Sequence, residues 1–365
     1  MTEREIATEY LKGIQRHYLM KRYGLDFEKK IQKFNQDDFF DVIEKGINAK
    51  KDLTEDQKLE LEAQLKNLIL DTSFLNTEYE SPVDWQIISG LFENVKDILP
   101  TDKKLPYIGT ISSGEINAEA YAIKETDIKL LLIESELFTC ANLLSKVFAL
   151  SIPLTNNDSF SFSTAKDQLE KHLHNKFITE RFNDFFHHSI LRCPTDSKQY
   201  FLNSELLEQL SQLLLDSLEY FVIGHEYGHI YLDHLDSSSL QKASLSATNE
   251  DLLKIHTSWE QEFQADNVGA QVIIAMDKEG EKFPFSVLGP DLLFTFFHYR
   301  TIYSSDDNDI RQESDSHPAP LDRKRLVREY ILSRYGKKDQ ELLNITYKMI
   351  DNIFDHHISN FKNYR

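Results

Sequence analysis

The sequence predicts a mostly helical α+β protein: an N-terminal helical domain followed by a larger unit with one small antiparallel sheet. Three observations predict it. Apolar residues recur at three- and four-residue steps through most of the 365 residues. The stretch 107–134 instead reads as strands around a polar turn. The 41% hydrophobic content, with 24 Phe and 16 Tyr, is enough to build packed cores and argues against disorder.

The elements follow in order. EIATEYLKGIQRHYLMKRYG, DFEKKIQKFNQDDFFDVIEKGI and TEDQKLELEAQLKNLILD each carry one apolar stripe at helical spacing. Thr54 and Gln57 form a capping-box pattern that opens the third. A short apolar helix over 85–99 and a link containing Pro and Lys then mark a boundary, so 1–104 is read as the N-terminal domain. From Tyr107, YIGTISSGEINAEAYAI and DIKLLLIESELF flank the turn Lys124-Glu125-Thr126-Asp127 as an antiparallel hairpin. A helix over about 137–150 stops before Pro153, and 164–190 reads as one long helix. Residues 203–235 carry unbroken helical periodicity, with Asn203 or Ser204 as the cap. The Ser-, Asn- and Thr-rich 236–250 is a loop and 251–278 a helix. A helix near 290–304, an acidic loop at 306–315 and helices over 319–334 and 338–360 complete the chain. The second domain is thus 105–335, with a helical insert around 155–200, and 336–365 is a C-terminal helix.

Charge and composition exclude several functions. The 60 acidic side chains outnumber the 41 basic ones, for a net charge of -19. Such a surface repels phosphate backbones and anionic lipid headgroups, so no nucleic-acid partner is expected. No stable membrane insertion is expected either: the most apolar stretch, 128–154, is interrupted by Glu134, Glu136 and Lys146. Cys140 and Cys193 are too few for a disulfide framework, and MTEREIATEY has no apolar signal region, so the expected location is cytoplasmic.

The informative pentapeptide is His225-Glu226-Tyr227-Gly228-His229. Helical positions four apart lie about 40° apart on one face. Two imidazoles so placed can share one tetrahedral zinc at about 2.1 Å. Glu226, about 100° round the helix, falls beside such a metal, where its carboxylate can take a proton from metal-bound water. Gly228 has no side chain, so another element can pack close behind the ligands. The third ligand is sought in Trp259-Glu260-Gln261-Glu262-Phe263-Gln264-Ala265-Asp266. Glu262 and Asp266 again share one face, the first placed to coordinate and the second to accept the other N–H of a ligand histidine. Glu260 and His256 are the rival ligands; Glu260 is about 160° from Asp266 in phase. His172, His174, His187 and His188 read as surface residues, with a second metal site as the alternative. His234, five residues after His229, reads as a packing or hydrogen-bonding histidine on another face.

HEYGH followed by EFQAD resembles the gluzincin peptidases of the HtpX and CAAX-prenyl-protease family. The leading Gly224, the later His234, INAEAYAI…KLLLIESELF and Ser316-His317-Pro318 with Arg323 resemble further family segments in the family's order, over about 107–330. The resemblance implies a zincin-like metallopeptidase domain with one zinc per chain on His225, His229 and Glu262. It also implies Glu226 as general base, Asp266 behind the ligands, His317 steadying the oxyanion and Arg323 supporting the site. From its residues alone, His317 reads either as a site group or as a loop histidine. Two departures stand out: the chain lacks the membrane helices of many members, and Lys-Glu-Thr-Asp replaces a glycine-rich turn. The expected activity is hydrolysis of protein or peptide substrates, laid along an edge strand at about Ile128–Glu134. The alternatives are a narrow-specificity cytosolic metallopeptidase of the phage-exclusion type and a non-catalytic zinc-containing interaction module.

Overall fold

A computed structural model describes residues 1–28, 36–49, 53–70, 73, 75–155, 161–163, 165–190, 194–198, 200–236, 240–242, 252–255, 259–277, 283–304 and 318–362. Among the described residues four helices lead in: α1 (Glu3–Tyr23), α2 (Gln36–Ala49), α3 (Glu55–Leu70) and α4 (Pro82–Ile98). The expected capping box opens α3: the Gln57 N–H donates to Thr54 Oγ1 at 3.3 Å and the Thr54 N–H to Gln57 Oε1 at 2.8 Å. A second, at Thr2 and Glu5, opens α1.

The sheet holds β1 (Tyr107–Ile111), β2 (Ala118–Ile123), β3 (Lys129–Glu134), β4 (Leu240–Lys242) and β5 (Leu252–Ile255), in the order β1-β3-β2-β5-β4. The expected hairpin is present as β2 and β3, antiparallel across residues 124–127. Three expectations need correction. The sheet is mixed, because β1 runs parallel to β3. The turn after β1 is built around Gly114, at φ +90°, and Ser113, whose N–H donates to Glu134 Oε2 at 2.8 Å. That turn frees YIGTI to pair on the far side of β3. In consequence β3 is interior, with β1 on one side and β2 on the other, so Ile128–Glu134 is not an edge strand. Its ladder groups are already used and cannot receive a substrate backbone. Finally, Leu252–Ile255 pairs with Tyr121–Ile123 of β2 instead of opening a helix. Pairing to an existing strand overrides a weak local helical preference.

The remaining helices are α5 (Ser135–Ser151), α6 (Lys166–Leu173), α7 (Lys176–Ile190), α8 (Glu205–Tyr231), α9 (Trp259–Met276), α10 (Gly289–Ser304), α11 (Pro320–Ser333) and α12 (Lys337–Lys362). The long helix expected over 164–190 is two, because Asn175 restarts the chain by accepting the Phe177 N–H at 3.0 Å. The expected helix to 235 stops at Tyr231.

Side chains alternate across the sheet as its pleat requires. Ala120, Ala122, Leu131 and Ile133 face α4, α5 and α8 in the main core. Tyr121, Ile123, Leu130 and Leu132 face Ala7, Leu11 and Ile14 of α1. The helices α1 and α4, both within 1–104, therefore share cores with the segment that follows. Truncating Leu131 or Leu132, both fully buried, to Ala would cost about 2–5 kcal/mol. A buried ionic network seats α11: Lys324 Nζ donates to Thr295 Oγ1 and Asp351 Oδ1, each at 2.6 Å. Arg328 Nη2 donates to Asp291 Oδ2 and Asp351 Oδ1, each at 2.9 Å. Among the described residues no helix is long and apolar enough to cross a membrane.

His357 makes one part of this core sensitive to acid. Its ring stacks on Phe182 at 4.3 Å, and Nε2 lies 3.2 Å from Ser151 Oγ. Burial, then the neighbouring His356 and His172, push its pKa down from 6.5 to about 3. Below pH 6.5 the unfolded chain takes a proton that the folded chain refuses, so stability falls as pH falls through 6.5 towards 3. Between pH 7 and 5 this amounts to roughly 2 kcal/mol. Urea unfolding at the two pH values should show wild type losing about that much more than His357→Gln.

Candidate metal centre

The site rests on how closely α8 meets α9. A Cβ on Gly224 would stand 3.0 Å from the Gly269 Cα, and one on Gly269 would stand 2.7 Å from the Phe221 carbonyl oxygen. Gly228 likewise faces Ala265 and Val268. Partners descend α9 as they ascend α8, so the two helices are antiparallel. At Gly269 only hydrogen fits, and at Gly224 and Gly228 a Cβ would be tight, so the short separation brings side chains of the two helices onto common points.

His225, His229 and Glu262 meet at one such point, all buried. His225 Nε2 lies 3.2 Å from His229 Nε2 and 3.6 Å from Glu262 Oε2, and His229 Nε2 lies 3.5 Å from Glu262 Oε1. An ion held tetrahedrally at about 2.0–2.1 Å needs donor atoms about 3.4 Å apart. The two nitrogens fit this spacing and each lies near it from one of the two Glu262 oxygens, so the cluster could hold one metal ion. Glu226 Oε1 is 3.9 Å from His225 Nε2, beside the three donors. Glu260 is exposed on another side of α9, where its Oε1 accepts from Gln264 Nε2 at 3.5 Å, so it is not the third donor. His256 and His317 lie outside the described residues, as does the acidic loop 306–315.

Charged groups stand behind the donors. Asp266 Oδ1 lies 2.9 Å from His225 Nδ1. Arg323, reaching in from α11, donates to the same carboxylate through Nη2 at 2.6 Å and Nε at 2.8 Å. Its Nη1 comes within 3.4 Å of Glu262 Oε2, and its plane lies 4.7 Å from the Phe294 ring centroid. These contacts set the proton affinities. Burial pushes the Glu226 carboxyl up to about 8, against the opposing charge of His225. Burial also acts to raise Asp266, but the charge and hydrogen bonds of Arg323 hold it down at about 2. In His225, burial favours the neutral ring, yet the bond and charge of Asp266 raise its pKa above the usual value. Asp266 is thus an anion that both Arg323 and His225 need.

Asp266→Asn is accordingly expected to do two things. It should weaken metal binding roughly 10–100-fold by loosening His225. It should also cost about 3 kcal/mol of stability, because Arg323 keeps its charge in a buried place without its two closest carboxylate contacts, leaving Glu262 as the nearest carboxylate. Chelator competition, run beside thermal unfolding of the metal-loaded protein, measures both. Unchanged affinity would remove Asp266 from the site.

Two site residues escaped the sequence reading. His234 Nδ1 is 3.0 Å from His229 Nδ1, and His234 Nε2 is 3.0 Å from Gln264 Oε1. The spacing of five from His229 points to another face only while the helix continues, and α8 ends between them. The signal available was Asp233-His234 just past an apolar helix end.

The fold and the site together define a class: a mostly helical α+β protein with a buried His–His–Glu cluster, able to hold a metal ion, between two close-packed helices. No family model, no curated protein and no solved structure matches the chain.

Proposed function

We propose that the protein is a zinc-dependent peptidase. The observation that carries this reading is the spacing of the three buried donors, 3.2–3.6 Å, with the Glu226 carboxylate standing beside them. Two imidazoles and one carboxylate are a zinc donor set that leaves a fourth position open. Bound zinc would supply Lewis acidity for the scissile carbonyl and for an attacking water. His225, His229 and Glu262 would hold the ion, with Asp266 fixing the His225 ring. Glu226 takes the proton of the attacking water and returns it to the leaving amine. Arg323 balances the charge of Glu262 and Asp266. Of the strands packed on α8, β2 makes the larger contact, and the charge of its Glu119 acts on Glu226. An extended substrate is placed beside β2, beyond the Tyr121–Ile123 stretch that β5 covers. The retained carboxylate at Glu226 favours this reading over a non-catalytic zinc module, which has no chemical use for a base beside the metal.

The test is metal content and turnover of the purified full chain. About one zinc per chain is expected, with cleavage of a mixed peptide library that a chelator abolishes and added zinc restores. A chain that binds zinc and cleaves nothing would be the interaction module. One that binds no metal would end both readings.

A further inference from the structure

The chain turns back immediately after α8. The Leu232 N–H donates to the Gly228 carbonyl at 2.9 Å and the Asp233 N–H to the Ile230 carbonyl at 3.2 Å. Asp233 takes φ +59°, a left-handed conformation that ends the helix. Lys103 ties this turn down, its Nζ donating to the Tyr231 carbonyl at 2.6 Å and to Asp233 Oδ2 at 2.7 Å. His234 is thereby folded against His229, with both rings buried and their Nδ1 atoms 3.0 Å apart. On an uninterrupted helix the two side chains would point about 140° apart.

Two imidazole nitrogens at that distance share one proton, so one donates and the other accepts. The direction follows from the metal centre. His229 Nε2 is the nitrogen that faces His225 Nε2 and Glu262 Oε1. A nitrogen that gives its lone pair to a metal carries no hydrogen, so the proton of neutral His229 is on Nδ1. That N–H must donate to His234 Nδ1. His234 then carries its own proton on Nε2, where Gln264 Oε1 accepts it at 3.0 Å. The Gln264 amide is left with its NH2 towards Glu260 Oε1, 3.5 Å away. One condition, metal on His229 Nε2, sets two tautomers and one amide orientation, and these three contacts are all satisfied.

We propose that His234 is the positioning residue for His229, a neutral acceptor that holds the ligand ring and its tautomer, with Gln264 holding His234 in turn. The inference rests on the metal-centre reading above and deepens it. The two ligand histidines are then supported differently. His225 donates to the anion Asp266, whereas His229 donates to an uncharged ring supplied by the turn after the helix.

The test uses full-length protein with zinc as the probe. The wild type, labelled with 15N at histidine and loaded with zinc, should show His229 protonated at Nδ1 and His234 at Nε2, with a coupling across the Nδ1–H···Nδ1 bond. His234→Leu should lower zinc affinity roughly 10–100-fold in chelator competition. His234→Asn, whose Oδ1 takes the place of Nδ1 as acceptor, should recover most of that loss. Three results would overturn the proposal: the opposite tautomer at His234, full affinity in His234→Leu, or His234→Asn as weak as Leu while still folded. The wild-type spectrum decides even if the Leu variant fails to fold. A wild type that binds no zinc at all would instead remove the metal-centre reading, and this inference with it.

Discussion

Glu226→Gln is expected to keep its zinc and to lose peptide hydrolysis by roughly 10²–10⁴-fold, the usual contribution of a positioned general base. The two outcomes separate because of where Glu226 stands. Its Oε1 is 3.9 Å from His225 Nε2, beside the donors, so the amide removes no ligand. Its carboxyl is buried, with a proton affinity raised to about 8, and a neutral amide of the same shape is tolerated there without a desolvation cost. What the amide cannot do is accept a proton. Proteome-wide cleavage mapping of wild type against Glu226→Gln, with zinc content measured on the same preparations, tests both halves. Equal cleavage by the two proteins would dismiss Glu226 as the base. Zinc lost from the variant would make it a ligand.

Glu262→Ala is expected to empty the site, and Glu260→Ala to leave it full. Glu262 is the sole carboxylate of the His225–His229–Glu262 cluster and the group on α9 that closes it against α8. Two imidazoles alone hold zinc poorly, so the affinity loss should exceed the roughly 100-fold ceiling of a supporting residue. Glu260, two residues away, is exposed and turned towards Gln264, so its truncation should change affinity little. Metal analysis after dialysis against a weak chelator separates the two. Should Glu260→Ala empty the site while Glu262→Ala stays loaded, the ligand assignment would be reversed.

These residues differ in how visible they were before folding. His225 and His229, four apart in an apolar helix, needed only helical periodicity to be placed on one face. Glu262 and Asp266 were legible in the same way within α9. The joining of the two pairs into one cluster followed from tertiary packing. It depends on Gly224, Gly228 and Gly269 letting the helices touch, with Phe221 O 2.7 Å from where a Cβ on Gly269 would be. Gly228 was legible as an opening for a neighbour; that the neighbour would be Ala265 and Val268 was not. Arg323 entered through a resemblance alone, and the charge network that seats α11 explains how it reaches Asp266.

By itself the sequence determined the local periodicities: most of the helices, the β2–β3 hairpin and its turn, the capping box at Thr54, and the two ligand-bearing faces. The helices, cap and ligand faces depend on contacts within about four residues and the hairpin on strands joined by one short turn, which a linear pattern records. Only the tertiary structure decided the rest. The side of β3 on which β1 would lie, and hence that Ile128–Glu134 is interior, depends on a turn held by Glu134, more than twenty residues from Ser113. The strand at Leu252–Ile255 exists because β2 has a free edge at Tyr121–Ile123 to pair with. His234 meets His229 because α8 stops at Tyr231 and Lys103, from far earlier in the chain, holds the turn at Asp233. Where a helix ends, its periodicity no longer says where the next side chain points, and distant contacts decide.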